Sequence, residues 1–272
     1  LQSEDGLSTA LKNNSVLLGL EEISTTLFED YAVENPLLYP LHWQMQKTTI
    51  LTMLAEVIEK DIAILSESGY RPAAFEVDCH QKIEAGWPKF RGKIDRIDFN
   101  AEDGKARVVD YKITFRKTPL PLEKNLLTSA LRAKKLQAPL YLKLAEIFAE
   151  ANAGSEKGQT ESVFYHLVPN WPDGPLVVSE FPASGWQGEC GAMLKKTISI
   201  LLQGIEKGRF FMNPSDKQGG HCDFCEIRSL CRLNHLPSRK RLEGDIFWQE
   251  QEALQTLKAP KSPAKTKKAN RA

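Results

Sequence analysis

The chain has 272 residues, 42% hydrophobic and 26% charged, with 17 Gly and 15 Pro. These proportions exclude a fully disordered, collagen-like or disulfide-scaffold protein, and the length suffices for one large domain or a domain with an appendage. The net charge of +1 hides an asymmetry: Lys258 to Ala272 carries six bases and no acid, which leaves 30 basic against 35 acidic residues elsewhere. A body of that sign cannot hold nucleic acid through a uniformly positive surface, so phosphate binding must be local or metal-assisted. No run approaches 18 apolar residues, so no membrane-spanning helix is expected. The chain opens on Leu1 without a leader pattern and reads as a piece of a longer protein that starts upstream.

In chain order, Leu18, Leu20, Ile23, Leu27 and Tyr31 recur at helical steps and predict a helix over Leu17–Glu34. Leu51, Leu54, Ile58, Ile62 and Leu65 form the stripe of a second over Leu41–Glu67, which Gly69 and Pro72 stop. A strand-rich block follows at Ala74–Cys79, Phe90–Asp98 and Arg107–Ile113, the last two joined by a hairpin turn over Asn100–Lys105. After the proline-rich loop Thr118–Pro121, one helix is expected over Lys124–Ala151, with Leu136, Leu140, Leu144 and Ile147 on one face. Strands at Ser162–Val168 and Pro175–Phe181, a helix over Gly185–Gly208 and a short helix over Glu243–Leu257 complete the pattern. The Lys/Pro/Ala tail has too little apolar area to offset its ordering entropy. The order predicts an α/β layer with a mixed central sheet flanked by helices.

The chemistry concentrates between Glu76 and Tyr141. Asp110 and Lys112 share a face of one strand, because side chains alternate with period two, and the hairpin brings Asp95 beside them. Two carboxylates that close repel unless a cation neutralises them, and oxygen ligands suit Mg²⁺ or Mn²⁺, which bind phosphate and acidify a bound water. Lys112 is then placed to position that water or stabilise the developing phosphorane charge. The same residues also fit an ion pair on an exposed strand face. Asp98 falls at an odd offset, on the other face, and reads as a solvated strand end. Gln137 and Tyr141, four apart, share a helix face and offer two donors. Arg91, Lys93 and Arg96 flank Asp95, and Arg132, Lys134 and Lys135 precede Gln137. They can line a path for a single strand, although solvated strand and helix faces are the more common explanation. Trp171, Trp186 and Trp248 read as core packing.

Three of the five cysteines lie within ten residues, as Cys222-x2-Cys225-x5-Cys231, a spacing that lets three thiols converge on one metal. Thiols used this way imply a reducing compartment, the cytoplasm. His235 is available as a fourth ligand of a zinc site. Cys79 and Cys190 read as packing residues.

The segments Gly92-Lys-Ile-Asp-Arg-Ile-Asp98, Val109-Asp-Tyr-Lys112 and Gln137-Ala-Pro-Leu-Tyr141 together resemble the RecB-type nuclease domain of the PD-(D/E)XK superfamily. They look most similar to the C-terminal nuclease domain of AddB-like recombination and repair proteins. That resemblance implies a restriction-endonuclease-like core over 73–215, preceded by a helical part over 1–72, and followed by a Cys-rich metal-binding segment with a C-terminal helix over 216–257 and a basic tail over 258–272. It implies that Asp95, Asp110 and the backbone carbonyl of Tyr111 ligate Mg²⁺, that Lys112 is the catalytic lysine, and that Gln137 and Tyr141 support the site. Glu76 matches an acidic residue on the preceding strand. The family's Gly-x-x-x-His motif does not precede Glu76, so either it lies upstream of Leu1 or the site is incomplete. Cys222, Cys225 and Cys231 resemble the C-terminal part of a [4Fe–4S] site, with Zn²⁺ the alternative.

The implied activity is Mg²⁺-dependent exonucleolytic cleavage of DNA, as a single strand or duplex end, in double-strand-break repair. With no Gly-x-x-x-x-Gly-Lys-[Ser/Thr] loop here, the helicase belongs to an upstream part or a partner subunit. A non-catalytic DNA-binding scaffold, or a CRISPR-associated or stand-alone exonuclease, are the alternatives.

Overall fold

The fold is taken from a computed structural model that describes residues 15–102, 104–113, 123–153, 160–167, 174–211, 225–228, 230–232 and 234–258. By packing, the chain divides into two compact units, Leu1–Leu122 with Leu140–Glu180, and Glu123–Pro139 with Phe181–Ala272. Among the described residues no helix is long and apolar enough to cross a membrane.

The first unit starts with helices α1 (Ser15–Glu34) and α2 (Pro40–Ser68). The apolar stripe of α1 buries less than its spacing predicts: Phe28 and Tyr31 meet the Trp43 ring, while Leu18, Ile23 and Leu27 stay exposed. α2 ends where expected. Gly69 takes φ 71°, open to a residue without Cβ, and donates its N–H to Leu65 O.

Five strands then form one mixed sheet in the order β1 (Arg71–Gln81), β2 (Phe90–Asn100), β3 (Lys105–Ile113), β4 (Glu161–Leu167) and β5 (Leu176–Phe181). β1–β2 and β2–β3 are antiparallel, and β3–β4 is parallel. The predicted hairpin joins β2 to β3, with Asn100 opposite Lys105 and Asn100 Oδ1 accepting from Glu102 N–H, a side chain closing its own turn. Apolar residues fill both sides of the sheet. Cys79, Ile94, Ile97, Ala106 and Val108 pack with Leu144 and Ala145, and Val109, Val163, Tyr165, Leu167 and Leu176 pack with Val57 of α2. Cys79 is thus a core residue, and burial pushes its thiol pKa up.

The single helix expected over Lys124–Ala151 is two, α3 (Glu123–Leu131) and α4 (Gln137–Ala153), with Ala133 between them at φ 58°. Pro139 explains the break: inside a continuous helix it would lack a donor and press on the carbonyl four residues earlier, whereas in the first turn of α4 it is tolerated.

In the second unit a 3₁₀ turn, Ala183–Trp186, precedes α5 (Gly188–Glu206) in place of one helix. Trp186 is buried there and donates Nε1–H to Pro139 O at 2.9 Å. Trp248 is half-buried, and Trp171 lies outside the described residues. A helix that the sequence pattern does not predict, α6 (Leu236–Glu243), precedes α7 (Ile246–Leu254), which falls within the helix expected over Glu243–Leu257. Asp245 starts α7 by accepting from the N–H groups of Phe247 and Trp248. Thr197 of α5 donates to Leu131 O, and Arg132 Nε to Leu257 O. The basic tail beyond Lys258 and the Thr118–Pro121 loop lie outside the described residues.

Candidate active site

β3 places Asp110 and Lys112 on one face. Asp110 is 1% exposed, and Lys112 Nζ stands 2.5 Å from its Oδ2. The β2–β3 ladder runs from Asn100↔Lys105 to Arg96↔Val109. At the next residue the Asp95 side chain takes over, its Oδ2 accepting the Tyr111 N–H at 2.9 Å. A carboxylate has replaced a ladder bond, and this brings Asp95 to the backbone between Asp110 and Lys112. Burial pushes the Asp110 pKa up; the Lys112 ammonium pulls it down, and the Asp95 charge adds to the rise.

β1 contributes Glu76. Its neighbours pair as Phe75↔Arg96 and Val77↔Ile94, so Glu76 stands across from Asp95, but with φ 52°, a left-handed conformation rare for a residue with Cβ. Its carboxylate lies 2.5 Å from Lys93 Nζ, and this exposed pair raises the Lys93 pKa. Tyr141 of α4 donates its hydroxyl to Lys93 O at 2.8 Å. A Cβ on Gly92 would meet the Tyr141 ring at 2.8 Å, so only glycine admits that ring against β2.

Parallel pairing sets Phe164 beside Asp110 and His166 beside Lys112. The Phe164 ring lies 5.6 Å from Lys112 Nζ, and His166 Nε2 is 2.8 Å from Ser179 Oγ in a buried pair. Nothing in the local sequence marked His166, because its pairing with Lys112 depends on a crossover of nearly fifty residues, and Ser179 reaches it only from β5.

Asp95, Asp110, Tyr111 and Lys112 are therefore brought together, with Glu76 and Tyr141 attached through Lys93. Gln137 opens α4 one turn before Tyr141 and belongs to the second packing unit. Cys222 lies outside the described residues; Cys225 and Cys231 are exposed, unpaired thiols, and Cys190 is half-buried on α5. Among the described residues no three His, Cys, Asp or Glu side chains converge as a metal site.

Two expectations need correction. Asp98 does occupy the opposite face, but it is fully buried rather than a solvated end, and Arg96 is 3% exposed rather than available to a nucleic acid strand. Helix α2 covers them: Arg96 donates to both oxygens of Asp61, to Oδ2 of Asp98 and to the Tyr111 hydroxyl, and its Nε lies 2.7 Å from Asp98 Oδ1 as an ion-pair contact. Asp61 had a sequence signature, since it stands between Ile58 and Leu65 within the apolar stripe of α2. Arg132 is also engaged, through Leu257 O, while Arg91, Lys93, Lys134 and Lys135 remain on the surface.

A mixed five-stranded sheet flanked by helices fits a restriction-endonuclease-like fold. A family model described as the PD-(D/E)XK nuclease superfamily matches residues 9–232, most of the chain, and the protein belongs to that superfamily. Among solved structures, that of a protein named SSO0001 is similar with 16% identity and a TM-score of 0.35 over 75% of this chain and 79% of the other. A search of curated proteins returned no match.

Proposed function

We propose that this protein is a divalent-metal-dependent DNA nuclease that hydrolyses phosphodiester bonds at Asp95, Asp110 and Lys112. Members of the superfamily are usually nucleases and typically use Mg²⁺ or Mn²⁺. The observation that carries the reading is the hydrogen bond from Tyr111 N–H to Asp95, which puts a second carboxylate beside the buried Asp110.

The donor set fits a hard cation: two carboxylates, with the Tyr111 carbonyl on the same short stretch of β3. A divalent ion bound there supplies an acidified water and neutralises charge on the phosphate. Asp95 and Asp110 would hold it with the Tyr111 carbonyl. Lys112 Nζ is placed to donate to a phosphate oxygen as negative charge develops, with the Phe164 ring 5.6 Å to one side of it. Glu76, Lys93 and Tyr141 fix the adjacent edge of β2.

The finer reading is an exonuclease that works from DNA ends in double-strand-break repair, alongside a helicase partner, as an AddB-like domain does. The Cys-x2-Cys-x5-Cys spacing supports an iron–sulfur cluster on Cys222, Cys225 and Cys231, since three soft thiolates suit it. Zinc completed by His235 is the competing outcome, and the visible absorption of anaerobically purified protein separates the two.

The decisive experiment measures degradation of linear DNA with Mg²⁺, with EDTA, and in Asp110→Asn and Lys112→Ala variants. Metal-dependent cutting that falls at least 100-fold in both variants, while DNA binding persists, is the expected result. Cutting that survives both substitutions would overturn the assignment, and DNA binding without any cutting would favour a scaffold.

A further inference from the structure

The back of the sheet, behind the acidic pair, carries a buried ionic cluster that the hydrolytic reading leaves unused. Arg96 donates through Nη1 to Asp61 Oδ2 at 2.5 Å and to the Tyr111 hydroxyl at 2.8 Å. Its Nη2 reaches Asp61 Oδ1 at 3.0 Å and Asp98 Oδ2 at 2.9 Å, and Nε lies 2.7 Å from Asp98 Oδ1. Its guanidinium also lies 5.9 Å from the Tyr111 ring centroid and 5.4 Å from that of Tyr165. Burying such a group contributes little net stability, because desolvation offsets the attraction; well-packed apolar residues would serve as well. What an ionic fork provides is a fixed geometry between elements.

The fork joins residues next to the site. Arg96 follows Asp95 on β2, and Tyr111 lies between Asp110 and Lys112 on β3. Adjacent strand residues face opposite ways, so gripping Arg96 and Tyr111 from behind fixes Asp95, Asp110 and Lys112 in front. The Tyr111 N–H, which orients Asp95, is then held by its own side chain at the far end.

We propose that Arg96, clamped to α2 through Asp61 and to its own strand through Asp98, is a positioning residue. It holds Tyr111 so that the Tyr111 amide keeps the Asp95 carboxylate beside Asp110. This rests on the nuclease reading for its purpose, though not for its test.

Tyr111→Phe removes one hydroxyl and keeps the ring, and Asp61→Asn weakens the clamp from the helix side. The first measurement is amide hydrogen exchange at position 111, with Val109 on the same strand as reference. The second is Mn²⁺ binding without DNA, by electron paramagnetic resonance. In Tyr111→Phe, amide 111 should exchange at least about tenfold faster with Val109 unchanged, and Mn²⁺ should bind roughly tenfold more weakly, the range for removing a group that orients metal ligands. Asp61→Asn should move both in the same direction. Wild-type protection at amide 111 together with wild-type Mn²⁺ affinity would overturn the proposal. So would equal acceleration at both amides, the mark of a merely structural loss. Failure of the nuclease reading looks different: the wild type would neither bind Mn²⁺ nor cut DNA, while exchange at amide 111 would still decide whether Arg96 holds Tyr111.

Discussion

Glu76 and Lys93 form an ion pair across the β1–β2 ladder at the one described position of β1 where the backbone turns left-handed, φ 52° at Glu76. An exposed pair of this kind contributes little to stability, whereas a non-glycine residue in that conformation costs about 1 kcal/mol or more. The strain is therefore not offset by the contact made there.

Glu76→Gly should accordingly stabilise the fold by roughly 0.5–1 kcal/mol, read from the urea midpoint, since glycine adopts positive φ without penalty. The same variant should lose DNA cleavage, because the carboxylate facing Asp95 is gone. A variant that is both less stable and fully active would contradict both halves of the argument.

The raised pKa of Asp110 sets a pH dependence. Its proton is bound more tightly in the folded state than in the unfolded chain, so its contribution to stability is fully present below about pH 4, the ordinary aspartate range, and is lost as pH rises through the raised folded value. Isosteric Asp110→Asn has no such proton to lose. Its stability relative to metal-free wild type should increase as pH rises through that window, measured by urea unfolding at a series of pH values.

Metal binding gives the complementary test. Because the Asp95 charge pushes the Asp110 pKa up, Asp95→Asn should move the acid limb of Mn²⁺ binding to lower pH even as it weakens the maximum affinity. An acid limb that stays in place would show that the two carboxylates do not sense each other.

Gly92→Ala should destabilise the protein by about 1–3 kcal/mol, since the new methyl meets the Tyr141 ring and must displace it from Lys93 O. Pairing it with Tyr141→Ala makes room, and the double variant should be no less stable than Tyr141→Ala alone. Denaturation of the three variants checks this.

At the other end of the chain, Asp245→Ala should cost about 1 kcal/mol by leaving the amides of Phe247 and Trp248 without their acceptor. The exposed contact from Arg209 to the same carboxylate adds little. Arg209→Ala should therefore leave the thermal midpoint almost unchanged.

What the sequence made legible was local. Asp110 and Lys112 share a face because strands alternate, and Gly69 ends α2 because αL backbone favours glycine; neither needs knowledge of the rest of the fold. Asp98 and Arg96 were misread because their burial depends on α2, whose Asp61 lies 35 residues from Arg96 in the chain. The break before α4 is legible in the chain itself. The apolar spacing continues from α3 through the break, and Pro139 was the signal against a single helix. The Asp95 bond to the Tyr111 amide was hidden for a different reason, since no periodicity announces a side chain replacing a main-chain ladder bond.

The chain crosses between its two packing units three times, after Leu122, Pro139 and Glu180. Each unit is thus discontinuous, and no single cut yields either one whole. A ribosome that has reached Glu180 has made every strand but the last residue of β5, yet α3 still lacks Thr197 and Arg132 still lacks Leu257 O. Any transplant of the acidic pair that keeps the chain continuous therefore carries Glu123–Pro139 along, a stretch whose hydrogen-bond partners Thr197 and Leu257 lie in the C-terminal part of the chain.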